Sequence, residues 1–233
     1  SKFPANIITL PSQGKVYAET SVLNSGKIEM RHMTAYDEDI LSNSSYISEG
    51  VMFDKLLEAL IVTPGVDISE LVIGDKEWLI ISARILGYGN EYPVSVTDPK
   101  TDKPVNAILD LSKLKSRTFD KAADSNGCFE YIIPSNNDVI KFKYLSAADA
   151  NKVEDESINS SFLKMSIHAI NGDMDVNIIE EYLKYELRAI DSRKLRKYIV
   201  ESAPGINYET EVVDDAGATY PATFQFKLDL FWF

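Results

Sequence analysis

Cysteine is nearly missing from this chain: Cys128 is the single example in 233 residues. An internal disulfide and a multi-thiolate metal site are therefore excluded, and a reducing compartment is expected. Histidine is scarce too, with only His32 and His168, and neither sits in an HxxxH or HExxH pattern. Each reads as an ordinary packed or half-exposed side chain. No stretch reaches the roughly 18 apolar residues that a membrane-spanning helix requires. The opening SKFPANIITLPSQG lacks the basic and apolar regions of a signal peptide, so the expectation is a protein made and used in cytosol. Positive charge is in deficit, with 24 Lys and Arg against 36 Asp and Glu and a net charge of -12. Such a field repels phosphate backbones and anionic membranes, so neither nucleic acid nor membrane is an expected partner. The one basic stretch, Lys184 to Lys197, is interleaved with Glu186 and Asp191 and reads as a solvated helix with i,i+4 pairs. Phosphate-cradling GxxxxGK[ST] and GxGxxG loops and the GxSxG elbow are also absent. Gly87-Tyr88-Gly89 closes an expected helix and has the wrong polarity for an anion site.

What is present suffices for a folded core, with 45% hydrophobic and 26% charged residues. IITL (7–10) and KIEMRHM (27–33) read as strands, and Thr34 with Asp37 three positions on opens a helix. Further helices are expected over about 50–62 and from Asp75 to Gly87. YPVSVTD and PVNAILDL then form a hairpin across Asp98 to Lys103. The same order recurs. FEYIIPS and VIKFKYL flank Asn136-Asn137, a helix follows Ser146, FLKMSIHAI (162–170) reads as helical, two more helices follow, and YETEVVD pairs with ATFQFKLDL.

Laid side by side, the halves share collinear matches. Leu10-Pro11-Ser12 falls opposite Ile133-Pro134-Ser135, and IEMRHMTAYDED (28–39) opposite IKFKYLSAADAN (140–151). FDKLLEALI (53–61) falls opposite FLKMSIHAI, Asp75–Tyr92 opposite Asp191–Tyr208, and ILDL (108–111) opposite KLDL (227–230). The expected fold is α+β in two similar halves, 1–115 and 126–233, related by an internal duplication and packing as one unit or two.

Residues that carry chemistry are thinly spread. Asp37-Glu38-Asp39 sits at a helix start, Glu154-Asp155-Glu156 in a polar stretch, and Asp214-Asp215 in a turn. None has the ligand alternation of a calcium loop, so no metal and no cofactor is expected. Cys128 has no local base, so no catalytic residue is assigned. Apolar supply is more distinctive: Tyr182 and Tyr185 fit either core or interface. FQFKLDLFWF ends the sequence, and its first seven residues, Phe224–Leu230, read as the last hairpin strand. Phe231, Trp232 and Phe233 remain as candidate partner-binding residues that either seal the core or dock into a partner.

IITLPSQGKVY (7–17), KIEMRHMTAYDEDIL (27–41), SEGVMFDKLLEALI (48–61), LVIGDKEWLIISARILGYGNEYPVSV (71–96) and the terminal LDLFWF together resemble the baseplate assembly proteins of T4-like contractile-tailed bacteriophages. The resemblance implies a non-enzymatic role in building the central baseplate hub. It implies other hub or tail proteins as partners, with self-association open, in the host cytoplasm during assembly and in the virion tail if the protein is retained. A tail-protein chaperone that leaves the particle is the alternative. Some relatives carry cysteine pairs at the hairpin turns; here those turns hold Asp98-Pro99-Lys100-Thr101-Asp102 and Asp214-Asp215-Ala216-Gly217, so structural zinc is not expected. An acid-using hydrolase would need two carboxylates in one cleft, and the sequence pairs none.

Overall fold

A computed structural model describes residues 4–153 and 157–232. β1 (Ala5–Thr9) and β2 (Lys27–Arg31) form an antiparallel pair, from Ala5 opposite Arg31 to Thr9 opposite Lys27. α1 (Ala35–Leu41), α2 (Ser44–Ser48) and α3 (Met52–Leu60) follow, then α4 (Ile73–Tyr88). β3 (Glu91–Thr97) and β4 (Pro104–Asp110) make a hairpin, and β5 (Lys115–Ser116) leads out of it. The second half opens with β6 (Phe129–Ile132) and β7 (Val139–Phe142), then α5 (Ala147–Ala150) and α6 (Ile158–Ser166). β8 (Ile167–Ile170), α7 (Val176–Glu181), α8 (Ala189–Ser202), β9 (Ile206–Asn207), β10 (Glu209–Asp214) and β11 (Thr219–Thr223) complete it. The fold is α+β, with small antiparallel sheets embedded among helices.

Local chemistry explains several boundaries. The Asp37 carboxylate reaches back to accept the Thr34 N–H at 2.7 Å, closing the first turn of α1. Gly89, at φ 85°, ends α4, and its N–H reaches the Ile85 carbonyl. Asp98 and Asp214 play the same part in the two hairpin turns: each accepts the N–H two residues on, from Lys100 at 2.8 Å and from Ala216 at 3.0 Å.

Two sequence expectations are corrected. FLKMSIHAI is not one helix: α6 stops at Ser166, and Ile167–Ile170 pair with β7. Two β-branched isoleucines, Ile167 and Ile170, lie in this run, and burial against β7 outweighs helical periodicity. The last hairpin strand is Thr219–Thr223, not Phe224–Leu230. The short turn sets Val213 opposite Thr219, so the ladder closes with Tyr208 accepting the Phe224 N–H at 2.7 Å. Beyond it the chain runs free of the sheet and then turns through a 3-10 segment, Leu228–Phe231.

The halves are interlocked. β4 and β10 pair antiparallel, with Val213 opposite Ile108, joining the two hairpins into one sheet of order β11-β10-β4-β3. β5 pairs with β9 across the same junction. One hydrophobic cluster runs from Leu10 and Leu56 in the first half to Phe142, Leu195 and Leu230 in the second.

Candidate partner-binding surfaces

The segment after β11 returns to the first half. The Phe226 and Phe231 rings lie 5.6 and 6.1 Å from the Phe53 ring on α3, and Phe231 also meets Tyr88 edge-on at 6.2 Å. Such pairs combine apolar burial with favourable ring geometry. Arg84 on α4 is 1% exposed and binds the backbone around it. Its Nε donates to the Leu230 carbonyl at 3.1 Å, while Nη1 and Nη2 donate to the carbonyls of Gly89 and Glu91 at 2.8 and 3.0 Å. Burial pulls the Arg84 pKa down from its usual value. Burial and the hydrogen bond to Glu38 push the Tyr88 phenol up to about 12.

The three candidate tail residues do not share one environment. Phe231 is buried and belongs to the core, whereas Trp232 is 45% exposed. Phe233 lies outside the described residues. Tyr182 and Tyr185 also separate: Tyr182 is buried, its hydroxyl donating to Asp138 at 2.8 Å, and Tyr185 faces solvent.

Several of the other polar candidates have local partners. Asp37 receives two 2.8 Å bonds from the Arg31 guanidinium, which hold its carboxyl below the usual range. Asp214 accepts turn N–H groups and the Tyr220 hydroxyl. Glu154-Asp155-Glu156 lie outside the described residues. His32 pairs with Asn6 at 3.0 Å, and His168 lies on β8 rather than on a helix. Burial, with Asp124 nearby, pushes the Cys128 thiol up. Among the described residues no group of three or more His, Cys, Asp or Glu is placed to hold a metal ion, and no helix is long and apolar enough to cross a membrane.

Sequence reasoning overlooked two features. One is a buried carboxylate: Asp75 accepts the Ser12 N–H at 2.9 Å, the Ser12 hydroxyl at 2.6 Å and the Tyr17 hydroxyl at 2.7 Å. Burial raises its pKa while these donors oppose the rise. The other is an apolar cleft of about 420 Å3 between the start of α4, α6 and the end of α8. At its base Gly74 touches the second half so closely that a Cβ there would lie 2.4 Å from the Gly205 Cα. Ile73, Ile158 and Val200 line it and are exposed. At one wall the Tyr208 hydroxyl donates to Glu77, whose carboxyl burial raises. Arg117, also at the cleft, donates its Nε to the Ile206 carbonyl at 3.1 Å.

The family model described as T4 bacteriophage base plate protein matches residues 6–223. No curated protein and no solved structure matches the chain significantly.

Proposed function

The chain belongs to the T4 bacteriophage base plate protein family, and from that premise we propose that it is a non-enzymatic component or assembly factor of the central hub of a contractile-tail baseplate, working by protein–protein contacts. The family match over residues 6–223 carries this reading. The exposed apolar cleft and the half-exposed Trp232 beside a firmly anchored tail support it, because surfaces of this kind mark interaction sites. The partners are other hub or tail proteins, met in the host cytoplasm during assembly. Pairwise co-purification of the full chain with each hub and tape-measure protein of the same phage tests the proposal: at least one stable complex is expected. Failure in every pairing would remove it.

The open cleft also suits a chaperone that shields an apolar segment of a tail protein and then departs. Mass spectrometry of purified virions separates the two readings. Stoichiometric presence supports a hub component, and absence supports the departing factor.

A further inference from the structure

Part of the cleft on the second half lies at positions that correspond to those the chain's own tail packs against on the first, Arg84 and Tyr88. Two pairs of contacts fix the correspondence. Ser12 binds Asp75 near the start of α4 at 2.6 Å, and Ser135 binds Asp191 near the start of α8 at 2.7 Å. Ile61 caps α3 at φ -72°, ψ 124° and bridges to Met30, while Ile167 caps α6 at φ -73°, ψ 127° and pairs with Phe142. Counting from the aspartates sets Arg84 opposite Val200 and Tyr88 opposite Pro204. Counting from the caps sets Met52 opposite Ile158 and Leu56 opposite Phe162, about one turn away from the match that sequence alone suggested.

The two sets of positions differ in cover. Met52, Leu56 and Arg84 are 4%, 0% and 1% exposed, and the tail packs on their helices through Phe53, Tyr88 and Arg84 itself. Their counterparts Ile158 and Val200 are 54% and 59% exposed and line the open cleft with Phe162 and Pro204. We propose that this cleft is a docking site for a segment of a partner baseplate protein, an aromatic or aliphatic stretch with an acidic flank, seated as Phe226–Phe231 is seated on the first half. The proposal rests on the protein-contact reading above and names the surface.

Charge selects this occupant. Val200 lies on the face of α8 that continues to Arg196, Lys197 and Arg193, of which Lys197 pairs with Glu201 at 3.7 Å, and Arg117 stands at the cleft with Glu77. Four cations here stand against the two carboxylates Glu77 and Glu201, a local positive excess on a chain of net charge -12. An acidic flank is attracted there, whereas a second copy brings the same net negative charge and is repelled at long range. The chain's own tail is also held at home by Arg84, a contact that Val200 cannot reproduce.

The test uses the full chain against each purified baseplate protein of the same phage. Val200→Glu and Ile158→Glu alter exposed side chains, and Met174→Glu, equally exposed elsewhere, is the control. One partner is expected to lose about tenfold or more in affinity for both cleft variants and nothing for the control. Arg117→Ala should weaken that complex and flatten its salt dependence. Because Cys128 is buried, a photo-crosslinker on Val200→Cys reports the seated segment directly. An apolar sequence flanked by Asp or Glu supports the proposal; a crosslink to a second copy overturns it. If the wild type binds a partner that Val200→Glu binds equally well, the docking site falls and the baseplate reading stands. If the wild type binds none, both fall.

Discussion

At the scale of single residues, adjacent aromatics have been given different work. Phe231 is enclosed by Phe53 and Tyr88, so Phe231→Ala removes a packed ring and should cost about 3–5 kcal/mol in urea unfolding. Trp232 is 45% exposed, and Trp232→Ala should stay within about 0.5 kcal/mol. Equal losses at both positions would contradict this division. Titration offers a second residue-scale test. Arg31 lowers the Asp37 pKa, so the pair adds stability that is complete above the ordinary carboxylate value and lost as pH falls through the lower folded one. Asp75 has the opposite sign: its raised pKa makes it most compatible with the fold at low pH, and that advantage fades as pH rises through the folded value. In Asp37→Asn the acid side of the stability curve, below about pH 4, should therefore be shallower than in the wild type. An unchanged acid limb would show that the Arg31 pair contributes nothing there.

At the scale of elements, the loop between β1 and β2 shows how a few atoms fix a long connection. Ser12 links the loop to Asp75 and accepts the Gly14 N–H at 3.1 Å, and Gly14 sits at φ 79°. A Cβ on Gly14 would lie 2.2 Å from the Asn24 carbonyl oxygen. Gly14→Ala should accordingly cost about 3 kcal/mol, read as a lowered urea midpoint. Elements set by local signals were legible in the sequence: the Thr34–Asp37 start of α1, the β6–β7 hairpin, and the Asp98 and Asp214 turns. Elements set by partners distant in sequence were not. Ile167–Ile170 became a strand because β7 was available to pair with it. Phe224–Leu230 alternates like a strand, yet past Phe224 it has no ladder to join, and Arg84 takes the Leu230 carbonyl instead. The cleft was invisible for the same reason: Ile73, Ile158 and Val200 come from three separate stretches that only the packed helices bring together.

At the scale of the whole molecule, the crossed connections decide how many units unfold. The segment after β11 supplies Phe226, Leu230 and Phe231 to the first half, and the segment after β4 supplies Arg117, whose N–H binds the Gly205 carbonyl of the second half at 2.8 Å. The sheet itself is completed by the β4–β10 pairing. Without residues 224–232, the first half would expose Phe53 and strip Arg84 of its Leu230 acceptor, losing apolar burial and a charge-assisted hydrogen bond together. Residues 1–125 and 126–233, expressed separately so that Arg117 and Phe119 stay with the first fragment, should each lack a cooperative transition and bind hydrophobic dye. Mixed, they should recover one transition with the near-UV signal of the intact chain, because the contacts that join them are non-covalent and complementary. Independent cooperative unfolding of either fragment would show that the exchange of segments is an ornament on two self-sufficient domains. Coincident recovery would instead make the first half's stability conditional on the tail that the second half delivers.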